Sequence, residues 1–178
     1  MSYNRNAELS KLIFVLSKNG ILNQKSQDKF ANVVSNINFP STINENELVP
    51  LSSIDTKSWS ILDNCLICNY PGVWQIISQY QVVGINSVNS GDDATIEGWF
   101  NINLKDVENS AATGYVSKAG GSMVLTIALT YKFEKDDVLI FGVRSNSTNG
   151  NLNIACINSI SNSGVNVPSF IATLSKIG

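Results

Sequence analysis

The pair of residues spaced like a reactive centre is Cys65 and Cys68, in the stretch NCLICN. A C-x-x-C spacing serves redox disulfides and metal sites, but only where the backbone turns the two sulfurs toward one another. The surrounding residues predict a strand over 64–70, and on a strand residues i and i+3 point to opposite faces. So placed, the two thiols neither hold one ion nor bond to each other. A zinc site would also need about two more Cys or His ligands. Only Cys156 remains, and the chain has no histidine. That absence removes Ser-His-Asp and Cys-His nucleophile systems, and with them the commonest base near neutral pH. Carboxylates gather at three turns: Asp92-Asp93 with Glu97, Asp106 with Glu108, and Glu134 with Asp136-Asp137. None has the spacing of a calcium loop, and they read as solvated turn residues. The expectation is a non-enzyme with no catalytic residue, no metal and no cofactor.

Recognition is the remaining chemistry. Trp59, Trp74 and Trp99 each offer a flat ring of the kind that stacks on a sugar. Trp74 falls in the apolar phase of its segment and reads as core. Trp99 falls in the other phase, beside Glu97 and Asn101, and is the candidate for a surface or interface contact. Gln75, Gln79 and Gln81 are the other candidates, opposite Trp74, Ile76, Tyr80 and Val82.

The elements that position these residues follow from periodicity. Leu9, Leu12, Ile13 and Leu16 repeat at the helical period, as do Phe30, Val33, Val34 and Ile37. Gly20 and Pro40 end the two segments, and Ser26 with Asp28 suits the start of the second. Residues 1–40 are therefore predicted to be a helical extension whose narrow apolar stripes form an anchor or oligomer contact. After Pro40 the predicted strands are 57–62, 64–70, 72–83, 94–104, 112–118, 121–133, 137–145, 151–158 and 167–177, separated by turn chemistry such as Pro71-Gly72 and Gly120-Gly121. Met123, Leu125, Ile127, Leu129, Tyr131 and Phe133 alternate with smaller or polar residues. Ile96, Gly98, Phe100, Ile102 and Leu104 do the same. Such alternation belongs to antiparallel sheets with one face in a core.

Composition bounds the partners. Charged residues are 15% of the 178, against a usual ~25%. Net charge is −2 with no Lys/Arg cluster, which argues against a non-specific nucleic-acid or anionic-membrane binder. The run LIFVL at 12–16 is too short for a secretory leader, and no stretch approaches ~20 apolar residues, so neither a leader nor a membrane span is expected. Three cysteines is an odd number, against a disulfide framework. The sequon at Asn146 is expected to go unused.

The order of the strands carries a resemblance. NCLICNYPGVWQIISQYQV, with Pro71, Gly72, Val73 and Trp74, resembles the heart of the tumour necrosis factor and complement globular-head superfamily. There a strand runs through Pro-Gly into an aromatic-bearing strand. IEGWFNINLKDVENSA (96–111) is similar to the family's tryptophan block. LTYKFEKDDVLIFGVRS (129–145) resembles its strand–acidic turn–strand block, with Lys135-Asp136-Asp137 where Gly-Asp is usual. PSFIATLSKIG (168–178) resembles its closing strand. The likeness covers about 43–178, and its flavour is that of such domains in large DNA viruses and bacteriophages. It implies a mainly β fold, a ten-stranded antiparallel jelly-roll sandwich over 41–178, assembled as a homotrimer that binds or builds rather than catalyses.

The function expected is that of a virion structural protein, a minor capsid, vertex or fibre-head component made in the host cytoplasm. The N-terminal helices would bind other capsid or fibre proteins, and a host-surface glycan or protein would be the attachment partner. The alternative is a stand-alone trimeric ligand- or carbohydrate-binding module, cytoplasmic or non-classically exported.

Overall fold

The computed structural model describes residues 29–39, 45–86, 93–117, 120–147, 153–157, 159–160 and 166–178. Its strands are β1 (Phe30–Ser35), β2 (Glu47–Leu48), β3 (Ser53–Ile54), β4 (Trp59–Leu62), β5 (Cys65–Cys68), β6 (Gly72–Asn86), β7 (Ala94–Ile102), β8 (Lys105–Asp106), β9 (Ala112–Val116), β10 (Ser122–Phe133), β11 (Val138–Ser147), β12 (Asn153–Cys156), β13 (Ser159–Ile160), β14 (Asn166–Val167) and β15 (Phe170–Lys176). No helix occurs among the described residues. Two antiparallel sheets form a sandwich. The first runs β10-β6-β15-β1-β3, with β12 also on β6; the second runs β4-β5-β11-β7-β8, with β2 on β11 and β9 on β7. A small ribbon pairs β13 with β14.

The alternation of apolar residues sets which side chains meet between the sheets. From the first sheet come Trp74, Ile76, Tyr80, Val82, Leu125 and Phe170; from the second come Trp59, Leu66, Ile96, Phe100, Leu139 and Phe141, all buried. Aromatic rings bridge the gap. Phe141 of β11 meets Phe170 of β15 with centroids 4.9 Å apart, and Phe170 lies 4.9 Å from Tyr80. At the other end Trp59 packs edge-on against Trp74 at 5.4 Å and Phe133 at 5.0 Å. The indole N–H groups of Trp59 and Trp74 find no acceptor among the described residues, so ring packing alone holds that cluster.

Two hairpin tips show how the local sequence ends its strands. Asp63-Asn64 joins β4 to β5 and Asn103-Leu104 joins β7 to β8, and all four residues have positive φ. This is the two-residue turn whose twist suits paired strands. Leu104, assigned above to the apolar face of its strand, therefore lies beyond the end of β7, with its side chain 82% exposed.

The second predicted helix is not one. Residues 30–35 form β1, paired with β15 from Phe30↔Ser175 to Ser35↔Phe170 and with β3 on its other side. Its burial alternates, with Ala31, Val33 and Ser35 inward. Phe30 and Ile37, half of the supposed helical stripe, are exposed. A short apolar run fits either period, and Val33-Val34 favours a strand once β15 offers an unpaired edge. β1 is thus part of the sandwich, and a division near residue 40 does not separate it. Leu9, Leu12, Ile13 and Leu16 lie outside the described residues.

Candidate functional site

The sandwich presents two outer faces, and the sequence-derived candidates divide between them. Trp99 is on the outer face of the second sheet; Gln75, Gln79 and Gln81 are on the outer face of the first. The structure does not bring these two sets together.

On the second sheet, register places three rows of side chains side by side. Trp99 of β7 lies directly opposite Gly142 of β11, which in turn pairs with Leu48 of β2. One row above, Glu97 faces Arg144; one row below, Asn101 faces Ile140 and pairs with Asp106 of β8. Gly142 is what permits the centre of this grid. A Cβ there would come within 2.6 Å of Trp99 Nε1 and Cζ2, and closer still to Cε2, so the Cε2 corner of the indole lies over the glycine. Beneath it, the buried Tyr80 hydroxyl reaches from the first sheet and donates to the Gly142 carbonyl at 3.4 Å. Gly98 gives that hydroxyl room, since a Cβ at 98 would stand 3.1 Å from it. Burial pushes the Tyr80 pKa far up, so the phenol stays neutral and remains a donor.

Polar groups fix the ring. Trp99 Nε1 donates to Asp106 Oδ1 at 3.0 Å, and Asn101 Nδ2 donates to the same oxygen at 3.0 Å. Asn101 Oδ1 is buried with no donor among the described residues. Arg144 Nη2 meets Glu97 Oε2 at 2.6 Å. Both of those side chains are about a third or more exposed, so the pair contributes about 0–1 kcal/mol to stability and acts mainly to hold position. The partly buried indole is shared by two adjoining concavities. One, of about 240 Å³, is lined by Glu97, Asp106, Asn109 and Arg144; the other, of about 280 Å³, is lined by Leu48, Asn101, Leu104 and Ile140. Such a surface can bind a small ligand with one flat apolar side and several hydroxyls.

The sequence pointed to Trp99 by its phase, beside Glu97 and Asn101, but Gly142, Asp106 and Arg144 were missed as its neighbours. The one available signal was Gly142 interrupting VLIFGVRS, where an alternating strand loses a side chain. The other acidic turns have local partners. Asp93 Oδ2 accepts from the Tyr115 hydroxyl at 2.8 Å, a bond that raises the Tyr115 pKa, and Asp137 Oδ1 accepts from Asn103 Nδ2 at 2.8 Å. Among the described residues no three Cys, Asp or Glu side chains converge as metal ligands.

Trp59 and Trp74 are fully buried and offer no face to a ligand. Cys65, Cys68 and Cys156 are all free thiols. Burial raises the Cys68 pKa to about 11; burial also raises that of Cys65, with the nearby Asp63 charge adding to it. Protonated thiols are poor nucleophiles and poor metal ligands.

On the first sheet the outer face is nearly free of charge. Its rows read Thr130–Gln75–Ser175–Phe30, Ala128–Ile77–Thr173–Asn32 and Thr126–Gln79–Ile171–Val34 across β10, β6, β15 and β1. Beyond them stand Val124, Gln81 and Val83, then Ile85. Charge is confined to the rim: Lys132 pairs with Glu134 at 3.0 Å, and Asp55 accepts from Asn32. No helix among the described residues is long and apolar enough to cross a membrane. No protein-family model matches the chain, and no curated protein sequence matches it.

Proposed function

We propose that the chain is a non-enzymatic structural protein of a virion, a tumour necrosis factor-like jelly roll that assembles as a homotrimer and turns its Trp99 face outward for host attachment. The observation that carries assembly is the uncharged outer face of the first sheet. A sheet face left in water normally carries Lys and Glu on its solvent side, whereas interface centres are depleted in charge. Here Ile77, Ile85 and Val124 are exposed among Gln, Thr and Ser, over a surface four strands wide. Closed symmetric association covers such a face on every copy.

Strand pairing supports the jelly roll. Taking β1, β5, β6, β7, β9, β10, β11 and β15 in chain order, first pairs with last, second with seventh, third with sixth and fourth with fifth. That is one long antiparallel hairpin wrapped into two sheets, the arrangement of a double Greek key. The virion assignment rests on the family likeness of the sequence and on its Asn- and Ile-rich composition.

A charge at the centre of the face tests assembly. Gln79→Glu would bury an unpaired carboxylate between copies, and the expected result is a folded monomer. An unchanged oligomer refutes this face as the interface. For the virion, particles purified with and without residues 1–28 of the chain should contain it only when that segment is present. The alternative of a stand-alone binding module is favoured by one observation, that the Trp99 site is complete within a single chain, and it predicts no particle incorporation in either case.

A further inference from the structure

The surface around Trp99 has the make-up of a saccharide site, and we infer that it binds a neutral pyranose, stacked on the indole and held through its hydroxyls by Asp106 and Arg144. This deepens the attachment half of the proposed function by naming its ligand class, and it does not depend on the assembly half.

The ring comes first. A sugar presents a patch of C–H groups that packs on an aromatic face, provided the ring is held still and partly clear of other side chains. Trp99 is held on both counts: the Gly142 backbone supports it and Asp106 ties its N–H. A platform ordered before binding loses little entropy when a ligand arrives. The flanking concavities, about 240 and 280 Å³, suit one or two sugar rings; drug-sized ligands and cofactors occupy about 300–1,000 Å³.

The hydroxyl contacts come next. Adjacent sugar hydroxyls are matched by planar groups that give or take two parallel hydrogen bonds, which carboxylate and guanidinium both do. Asp106 spends Oδ1 on Trp99 and Asn101, so among the described residues Oδ2 is open to accept. Arg144 meets Glu97 through Nη2, and its other N–H groups point to no described partner. One acceptor and one donor group thus flank the same ring.

Charge selects among sugars. Leaving aside Glu47, which has a partner of its own, the carboxylates lining the two concavities are Glu97 and Asp106, against the single guanidinium of Arg144. The surplus is negative, so a sialic acid, a uronic acid or a phosphate ester is repelled. A lipid or other wholly apolar ligand would cover Asp106 Oδ2 and the remaining N–H groups of Arg144 without bonding to them.

The test uses the full chain and NMR of its three indole N–H signals. The probes are the methyl glycosides of glucose, galactose, mannose and N-acetylglucosamine, with the methyl glycoside of sialic acid as the anionic comparison. The expected result is a saturable shift of the Trp99 signal at millimolar concentration with at least one neutral sugar, while the buried Trp59 and Trp74 signals stay fixed. Trp99→Ala should abolish binding, followed then by a sugar-observed signal. Asp106→Ala, at an exposed position of the two-residue strand β8, should keep the fold and weaken binding by about tenfold. No saturation with any of the four neutral sugars overturns the inference, as does tighter binding of the sialoside or wild-type affinity in Asp106→Ala. Light scattering on the same samples separates the two readings. A trimer that binds none of the sugars overturns only this inference, and a monomer that binds one overturns only the assembly.

Discussion

Gly142→Ala places one methyl group where the Trp99 indole now lies. The added Cβ would stand 2.6 Å from Nε1 and Cζ2, well inside van der Waals contact, so the ring must lift. Lifting breaks the 3.0 Å bond to Asp106 and uncovers the strand below. Overpacking of this kind costs about 1–3 kcal/mol. For a chain of 178 residues each kcal/mol lowers the Tm by about 2–4 °C, so the expected fall is about 2–12 °C. The second part of the prediction is specific to the pair. Trp99→Ala removes the obstacle, and the methyl added at position 142 then has open space above it, so the double variant should be more stable than the sum of the single losses by about 1 kcal/mol or more. Calorimetry of the four proteins measures this coupling. Acrylamide quenching follows the ring itself, because Trp59 and Trp74 are buried and Trp99 is the partly exposed indole. Gly142→Ala should raise the quenchable fraction. Unchanged quenching and Tm in Gly142→Ala, or strictly additive losses in the double variant, would refute the stacking of Trp99 on Gly142 and the rigid platform built on it.

Four further outcomes follow from the same geometry. At pH 8 a chromogenic disulfide reagent should react slowly with Cys65 in the native protein and with all three cysteines in guanidinium; fast native labelling of Cys68 would contradict its burial. Cys68 is neutral in both states below its ordinary value of 9.0, and between there and about 11 only the unfolded chain ionises. Stability should therefore drop across that window, and Cys68→Ala should reduce the drop without abolishing it, since buried Cys156 and Tyr80 act in the same direction. Leu104→Gly relieves a left-handed, 82% exposed residue of about 1–2 kcal/mol of strain, against about 0.5–1 kcal/mol for glycine's extra freedom when unfolded, so thermal melts should rise by a few degrees; a fall would contradict the hairpin geometry. Truncation through residue 40 removes β1, bares the edge of β15 and should lower the Tm sharply or give insoluble protein.

Strict alternation made most strands legible. Each segment predicted after Pro40 contains an observed strand, because a half-buried strand must alternate and its turns must carry Gly, Pro, Asn or Asp. β1 was misread because four apolar residues at i, i+3, i+4 and i+7 satisfy a helix, and only the free edge of β15, far along the chain, decides otherwise. The two-residue strands β2, β3, β8, β13 and β14 are too short to show any period. The cysteines could be judged from strand geometry alone, since opposite phases follow from their spacing. The phase of Trp99 was readable for the same reason. Its neighbours were not: Gly142, Arg144 and Asp106 meet it through cross-strand register, which no local pattern encodes. The uncharged face of the first sheet was also hidden, because it is assembled from alternate residues of four strands separated in sequence.

Mass in solution tests the assembly most directly. Size-exclusion chromatography with light scattering of the full chain at micromolar concentration should give three times the 19.3 kDa of one chain. A single peak at 19.3 kDa, with the fold intact by circular dichroism, would contradict burial of the Gln79 face between copies and the trimeric account with it.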